Sequence, residues 1–325
     1  MEISMGFNRE NYARIKEEYS GKYLRAEDSA RLRRLEIHEK LPEVAEIDAS
    51  LAASGMRIFE ATLTNNLEML DAIKKENTAL MEKKRGALIA AGYPADYTEI
   101  KYECSECFDT GVVDFRMCRC MKEKLIMAGL ESSGMRSLIE SQTFQNFDLR
   151  YYSGDALTRI KMIVEITKNY AESFEAGKSG SIIMMGNTGL GKTHLSSAMG
   201  GVIIGKGNDV YYTGAVDMLS DFEADRFSYD RSGESGAALE KYFSCDLLII
   251  DDLGTELINQ FSTSCLYNVI NTRLVKKKAT IINTNFTRDE LRKKYQDRIT
   301  SRIFGEYTVL PFLGNDIREQ KIFKK

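Results

Sequence analysis

The stretch Gly186-Asn187-Thr188-Gly189-Leu190-Gly191-Lys192-Thr193 constrains this chain more than any other. It follows the apolar run Ile182-Ile183-Met184-Met185 and precedes the helix-like His194-Leu195-Ser196-Ser197-Ala198-Met199. Strand, glycine-rich loop and helix in that order form the setting in which such a motif cradles a polyphosphate. The glycines let the backbone curl until successive N–H groups face phosphate oxygens. The positive end of the following helix adds to the attraction. Lys192 would reach the β- and γ-phosphates, and the Thr193 hydroxyl would complete the shell of a Mg²⁺ ion. A nucleoside-triphosphate site is therefore predicted over Gly186–Thr193.

At 325 residues the chain has room for two or three domains, and its 43% hydrophobic content is enough for real cores. Net charge is -3, so any nucleic-acid surface must be local and not a property of the whole chain. The first ten residues lack the apolar core of a signal peptide, and no apolar run approaches the roughly 20 residues that span a bilayer. A cytoplasmic protein without membrane contact is expected.

Six cysteines in such a chain argue for metal or plain burial and against a disulfide framework. Cys245 and Cys265 stand alone in apolar segments and read as small core residues. The other four are bunched. Cys104 and Cys107 have the C-x2-C spacing of a knuckle that grips a tetrahedral zinc, and Cys118 and Cys120 form a tighter C-x-C pair. The alternatives are a redox C-x-x-C pair or buried thiols. A redox pair sits at a helix start after a strand, whereas these flanks read as a hairpin. Four protein ligands leave no open position, so the Zn²⁺ would be structural, with Arg116 and Arg119 offsetting thiolate charge.

Upstream of the cysteines the chain reads as charged helices over Asn8–Tyr19, Ala26–His38, Val44–Ser54 and Met56–Arg85. In the last of these Ile58, Leu63, Leu67, Leu70, Ile73 and Leu80 form one apolar stripe. That stripe suits either a bundle closed on itself or an arm docked on a partner. His38 is assigned no role.

Downstream, Ala156–Phe174 has clean helical spacing, and Asp209–Thr213 reads as a strand. The polar stretch from Arg226 to Gly236 reads as a surface loop. Leu247-Leu248-Ile249-Ile250-Asp251-Asp252-Leu253-Gly254 is a buried strand ending in two carboxylates, and Thr280–Asn285 and Tyr307–Phe312 are further strands. Strands alternating with helices predict an α/β fold: a parallel sheet with helices on both faces. Ligands bind such sheets at the carboxyl ends of the strands, where Gly186–Thr193, Asp251-Asp252 and Asn285 all fall. Asp251 is placed to hold Mg²⁺ together with Thr193, and Asp252 to polarise an attacking water. Asn285 would position that water. Arg298 and Arg302, four apart, share a helix face, and Arg318 lies beyond the last strand.

Together, Phe144-Gln145-Asn146-Phe147, Gly186–Thr193, Leu248–Gly254, Thr284-Asn285, Arg298-Ile299-Thr300-Ser301-Arg302 and Gly314-Asn315-Asp316-Ile317-Arg318 resemble the AAA+ ATPases of the bacterial helicase-loader type. This is the DnaC/DnaI-like family, with IstB-type transposition ATPases as near relatives. The resemblance implies ATP as the nucleotide and hydrolysis stimulated by DNA or a partner, which the shorter side chain of Asp252 would make slow. It also implies Asn285 as first sensor, Arg302 as a finger completing a neighbour's site, and Arg318 as second sensor. The partners it implies are a replicative hexameric DNA helicase, single-stranded DNA and further copies of the chain. The corresponding domains are 1–98, helical and partner-binding; 99–125, a four-cysteine zinc module; and 140–325, the ATPase. Two departures matter. Asp252 stands where many AAA+ proteins have Glu, with Glu256 a nearby substitute, and the short chain end has no room for a C-terminal lid domain. A basic stretch, Lys276-Lys277-Lys278, Arg288, Arg292-Lys293-Lys294 and Arg298, would track phosphates or form a solvated face. Beside the helicase loader stand two other readings, a transposase-helper ATPase and a nucleotide-bound adaptor that does not hydrolyse.

Overall fold

A computed structural model describes residues 7–232, 239–295 and 297–323. The chain divides into two compact units, one of Ile15–Met121 and one of Met1–Arg14 with Lys122–Lys325.

The smaller unit is built on three helices: α1 (Arg9–Lys40), α2 (Pro42–Leu63) and α3 (Leu67–Ala90). The four expected helices are three. Nothing between Tyr19 and Ala26 interrupts the backbone, so the first two merge into α1. Pro42 opens α2 at its first turn, where a missing N–H costs nothing. The next break falls at Asn65, with φ of 50°, and not at Gly55. Asn66 then caps α3 by accepting from the Met69 N–H at 3.1 Å. The apolar stripe is thus divided between two helices, and Leu63 and Leu67 lie exposed at the turn. His38, on α1, meets the Asp48 carboxylate at 2.8 Å, and Lys84 takes its other oxygen at 2.6 Å, which ties α1, α2 and α3 together. After α3 the chain returns through a two-stranded hairpin, β1 (Val112–Val113) and β2 (Arg116–Met117). Its turn residues Asp114 and Phe115 have φ of 47° and 61°, the twist a two-residue hairpin needs.

The larger unit contains α4 from Lys122 onward (helix Arg119–Ser132), α5 (Arg136–Ser141), a 3-10 turn (Leu149–Tyr151) and α6 (Gly154–Ser173). Then follow β3 (Ser181–Met185), α7 (Lys192–Gly205), β4 (Val210–Gly214), α8 (Ala215–Ser232), α9 (Glu240–Ser244) and β5 (Leu247–Leu253). The rest is α10 (Gln260–Val275), β6 (Ala279–Thr284), α11 (Arg288–Lys294), α12 (Asp297–Glu306), β7 (Tyr307–Pro311) and α13 (Ile317–Phe323). Helix α8 continues through Ser232, so residues 226–232 of the expected loop are helical, and the rest of it falls in residues 233–238, outside the described ones.

Five strands form a parallel sheet in the order β4-β5-β6-β3-β7. Successive side chains of a strand point to opposite faces, and here both faces are covered. Ile183, Met185, Leu248, Ile250 and Ile282 pack with α8, α10, α11 and α12. Ile182, Met184, Leu247, Ile249 and Ile281 pack with α6 and α7. That is why β3, β5 and β6 read as continuous apolar runs. The expected α/β sheet with helices on both faces is present, with a helical N-terminal region before it. No helix among the described residues is long and apolar enough to cross a membrane.

Candidate nucleotide site and cysteine cluster

The loop between β3 and α7 curls at three glycines with positive φ, Gly186, Gly189 and Gly191. At none of them does a side chain have room, and a Cβ on Gly186 would lie 2.5 Å from the Phe312 backbone oxygen. A Cβ on Gly189 would lie 1.8 Å from Asp316 Oδ1, and one on Gly191 would lie 2.7 Å from the Phe147 ring. The last two contacts come from segments that fold over the loop. Phe147 stacks on Tyr152 and meets His194 edge-on, the Tyr152 hydroxyl donates to Leu190 O at 2.9 Å, and His194 Nε2 lies 2.8 Å from Thr143 O. From the other side the Ile317 N–H donates to Gly189 O at 3.1 Å, and Asp316 caps α13 by accepting from the Arg318 N–H at 2.7 Å.

Between these segments lies a cleft of about 420 Å³, lined by the loop, Phe147, Tyr151, Asp252, Asn285 and Arg318. Lys192 is buried at its base and donates to Gly186 O, Asn187 O and Asn285 Oδ1 at 2.7, 2.7 and 2.8 Å. Burial pushes its ammonium down to about 8, although the Asp252 and Asp251 carboxylates pull the other way.

The pairing of β5 with β6 slips between Ile250 and Leu253, and Asp252 takes a φ of 51°. This kink turns the two adjacent carboxylates apart. Asp251 is buried and accepts from Thr193 Oγ1 at 3.0 and 3.2 Å, Tyr212 Oη at 2.6 Å and Asn283 Nδ2 at 2.8 Å. Asp252 is exposed to the cleft, 3.3 Å from Asn285 Nδ2. Oxygen ligands in an octahedral Mg²⁺ shell lie roughly 3.0 Å apart, so Thr193 Oγ1 and Asp251 fit such an ion.

Sequence reasoning missed Tyr212 and Asn283. Tyr212 carried no signal beyond its place in a strand. Asn283, fully buried in β6, did: an amide inside an apolar strand requires partners, here Asp251 and Ser196 Oγ, 2.8 Å each. Glu256 does not substitute for a cleft carboxylate. It folds back under its own loop, accepting from the Gly254 N–H at 2.8 Å and from the Tyr295 hydroxyl. Arg302 also lies away from this cleft. Its Nε donates to Asn271 Oδ1 at 2.8 Å, and its guanidinium covers the Tyr267 ring at 4.7 Å. Of the basic stretch, Lys278 is held by Asp246 at 2.8 Å, Lys294 donates to Gly254 O at 2.9 Å, and Arg288 covers the Phe304 ring.

In the smaller unit the four sulfurs of Cys104, Cys107, Cys118 and Cys120 lie within 4.8 Å of one another. The separations Cys104–Cys118 and Cys107–Cys120 are 3.9 and 3.6 Å. Tetrahedral zinc with Zn–S near 2.3 Å requires roughly 3.8 Å between sulfurs, whereas a disulfide requires about 2.05 Å. The geometry fits a metal ligand set. The knuckle is shaped by Asp109, whose carboxylate accepts from the Glu103 and Cys104 N–H groups at 2.9 Å each. Backbone N–H groups of Cys107 and Glu106 lower the Cys104 thiol to about 7. Cys245 and Cys265 are buried in the larger unit's core, as expected.

Known proteins are similar to this chain. A protein described as "Replicative helicase loader DnaC" from Buchnera aphidicola subsp. Baizongia pistaciae is 25% identical over 206 residues, 63% of this chain and 79% of that protein. "Phage-like element PBSX protein XkdC" from Bacillus subtilis is 26% identical over 252 residues, 71% of this chain and 91% of that protein. The solved structure "Crystal structure of the DnaC helicase loader" aligns with a TM-score of 0.44 at 20% identity, covering 52% of this chain and 98% of that one. The family described as "IstB-like ATP binding protein" matches residues 121–321. That span holds the whole cleft and well over half of the chain, which therefore belongs to the IstB-like ATP-binding family.

Proposed function

We propose that this chain is an ATP-hydrolysing switch that loads a replicative DNA helicase onto single-stranded DNA. The observation that carries the hydrolytic reading is the meeting of Lys192, Thr193, Asp252 and Asn285 in one cleft, with the buried Asp251 bonded to Thr193 behind them. In this reading Lys192 neutralises the phosphates, and Thr193 and Asp251 hold Mg²⁺, which supplies charge stabilisation when bound. Asp252 and Asn285 orient the attacking water. Arg318, at the cleft edge, senses the bound nucleotide. Arg302 faces away from its own cleft, which suits a finger that completes the site of a neighbouring copy. The four cysteines hold a structural Zn²⁺, and the helical region before them takes the helicase. The setting is cytoplasmic.

The loading role rests on the similarity to DnaC-named relatives, and the transposase-helper reading on the family description. One experiment separates them. Single-stranded DNA is expected to raise the ATPase rate, and the chain is expected to form an ATP-dependent complex with a hexameric replicative helicase. Stimulation by duplex DNA with a transposase, and no helicase complex, would transfer the assignment to the second reading.

A further inference from the structure

Three sulfurs of the cysteine cluster are served by the backbone of the cysteine segment itself. The Cys104 sulfur lies beside the Cys107 and Glu106 N–H groups, Cys107 accepts from the Gly111 N–H at 3.3 Å, and the Cys118 sulfur lies beside the Cys120 N–H. Cys120 instead lies beside the hydroxyl of Tyr19, 101 residues earlier on α1. Tyr19 is 5% exposed, and the chain closes on it: a Cβ at Gly111, where φ is 74°, would lie 3.2 Å from the Tyr19 ring and 2.6 Å from Met121 Sδ.

The same helix meets the segment leading into the cluster at further points. Lys22 pairs with Glu103 and sits over the Tyr19 ring. Tyr23 stacks on Tyr102 at 6.0 Å. Arg33 donates to Tyr97 O at 2.7 Å and Glu99 O at 2.9 Å. The order is antiparallel: as α1 numbers fall from 33 to 19, their partners rise from 97 to 120. Fourteen residues of helix is roughly 21 Å of shared contact.

We propose that Tyr19 is a positioning residue for the metal cluster, and that the cluster with its bound ion clasps α1 in place. The inference rests on the zinc reading given above. Its chemistry is that of an outer-shell hydrogen bond: a donor to a coordinated thiolate spreads its negative charge and fixes its direction. Docking of α1 and loading of the metal then stabilise one another, because each orders groups the other needs.

The test uses the full chain. Metal content by mass spectrometry reports first whether one zinc is bound; its absence from protein purified without chelator would sink the zinc reading itself. With zinc present, Tyr19→Phe is expected to keep one zinc per chain but release it to a chromophoric chelator about 10-fold faster, in line with the usual effect of outer-shell partners. Tyr23→Phe, which removes a hydroxyl bonded to Glu27 and not to sulfur, is expected to leave the release rate unchanged. Chelation is expected to raise amide exchange across residues 15–33 of α1. Equal release rates for wild type and Tyr19→Phe, equal acceleration by both variants, or unchanged α1 exchange after chelation would each overturn the clasp while leaving the zinc site standing.

Discussion

Lys192 Nζ donates to Asn285 Oδ1 at 2.8 Å, which joins the phosphate loop to the end of β6 across the cleft. The same Asn285 turns its amide nitrogen toward Asp252 at 3.3 Å. One side chain therefore touches both the group proposed to bind phosphate and the group proposed to handle water, and phosphate drawing Lys192 away would reset both contacts.

Burial holds the Lys192 ammonium at about 8, below its ordinary 10.5. A bound triphosphate restores the charge, so binding takes up a proton between those two values. Affinity should therefore fall as pH rises through 8, by up to about tenfold per unit until 10.5. Calorimetry at pH 8.5 in two buffers of different ionisation enthalpy should show net proton uptake, and a Lys192→Met variant should show none.

Asp252→Ala and Asn285→Ala should each lower hydrolysis about 100-fold or more while nucleotide affinity changes by only a few-fold, because neither residue supplies the main phosphate contact. Fluorescent-nucleotide titration beside steady-state turnover checks this. Unchanged turnover in Asp252→Ala would favour the adaptor that does not hydrolyse.

Arg302→Ala should also keep nucleotide affinity, since Arg302 packs on Asn271 and Tyr267 outside the cleft. Mixing it with Lys192→Ala should restore part of the turnover, because each variant supplies what the other lacks. Failure of every mixing ratio to exceed the separate rates would exclude a shared site.

Gly189→Ala should cost about 2 kcal/mol or more, combining left-handed strain with a collision against Asp316. Adding Asp316→Ala should recover the steric part but not the backbone part. A coupling of about 0.5–3 kcal/mol in chemical denaturation of the four variants is expected.

Arg273 is fully buried and spends its donors on Tyr242 O, Cys245 O, Ala279 O and Thr280 Oγ1. Arg273→Met should destabilise the chain by about 3 kcal/mol or more, because several buried acceptors lose their partner at once. Thermal unfolding measures it, and the small chain-wide effect of a surface arginine such as Arg31→Met is the comparison.

The sequence alone determined what depends on local order. Glycine spacing and the flanking apolar run marked the phosphate loop, since a loop between a buried strand and a helix needs those residue types in that order. Continuous apolar runs at Ile182–Met185, Leu247–Ile250 and Ile281–Ile282 marked strands covered on both faces. Cysteine spacing marked a four-sulfur cluster. Only tertiary structure decided what depends on contacts between distant segments. The helix break at Asn65 could not be told from one at Gly55, because exposed glycine is tolerated in a helix. The opposite fates of Asp251 and Asp252 follow from a slip in strand pairing that leaves no local trace. The withdrawal of Glu256 depends on Tyr295, thirty-nine residues on. Tyr212 on Asp251, Asp316 on Gly189 and Tyr19 on Cys120 are likewise contacts made by folding. Local geometry is encoded in neighbouring residues, whereas partner choice across a core is settled by packing, which no short stretch of sequence contains.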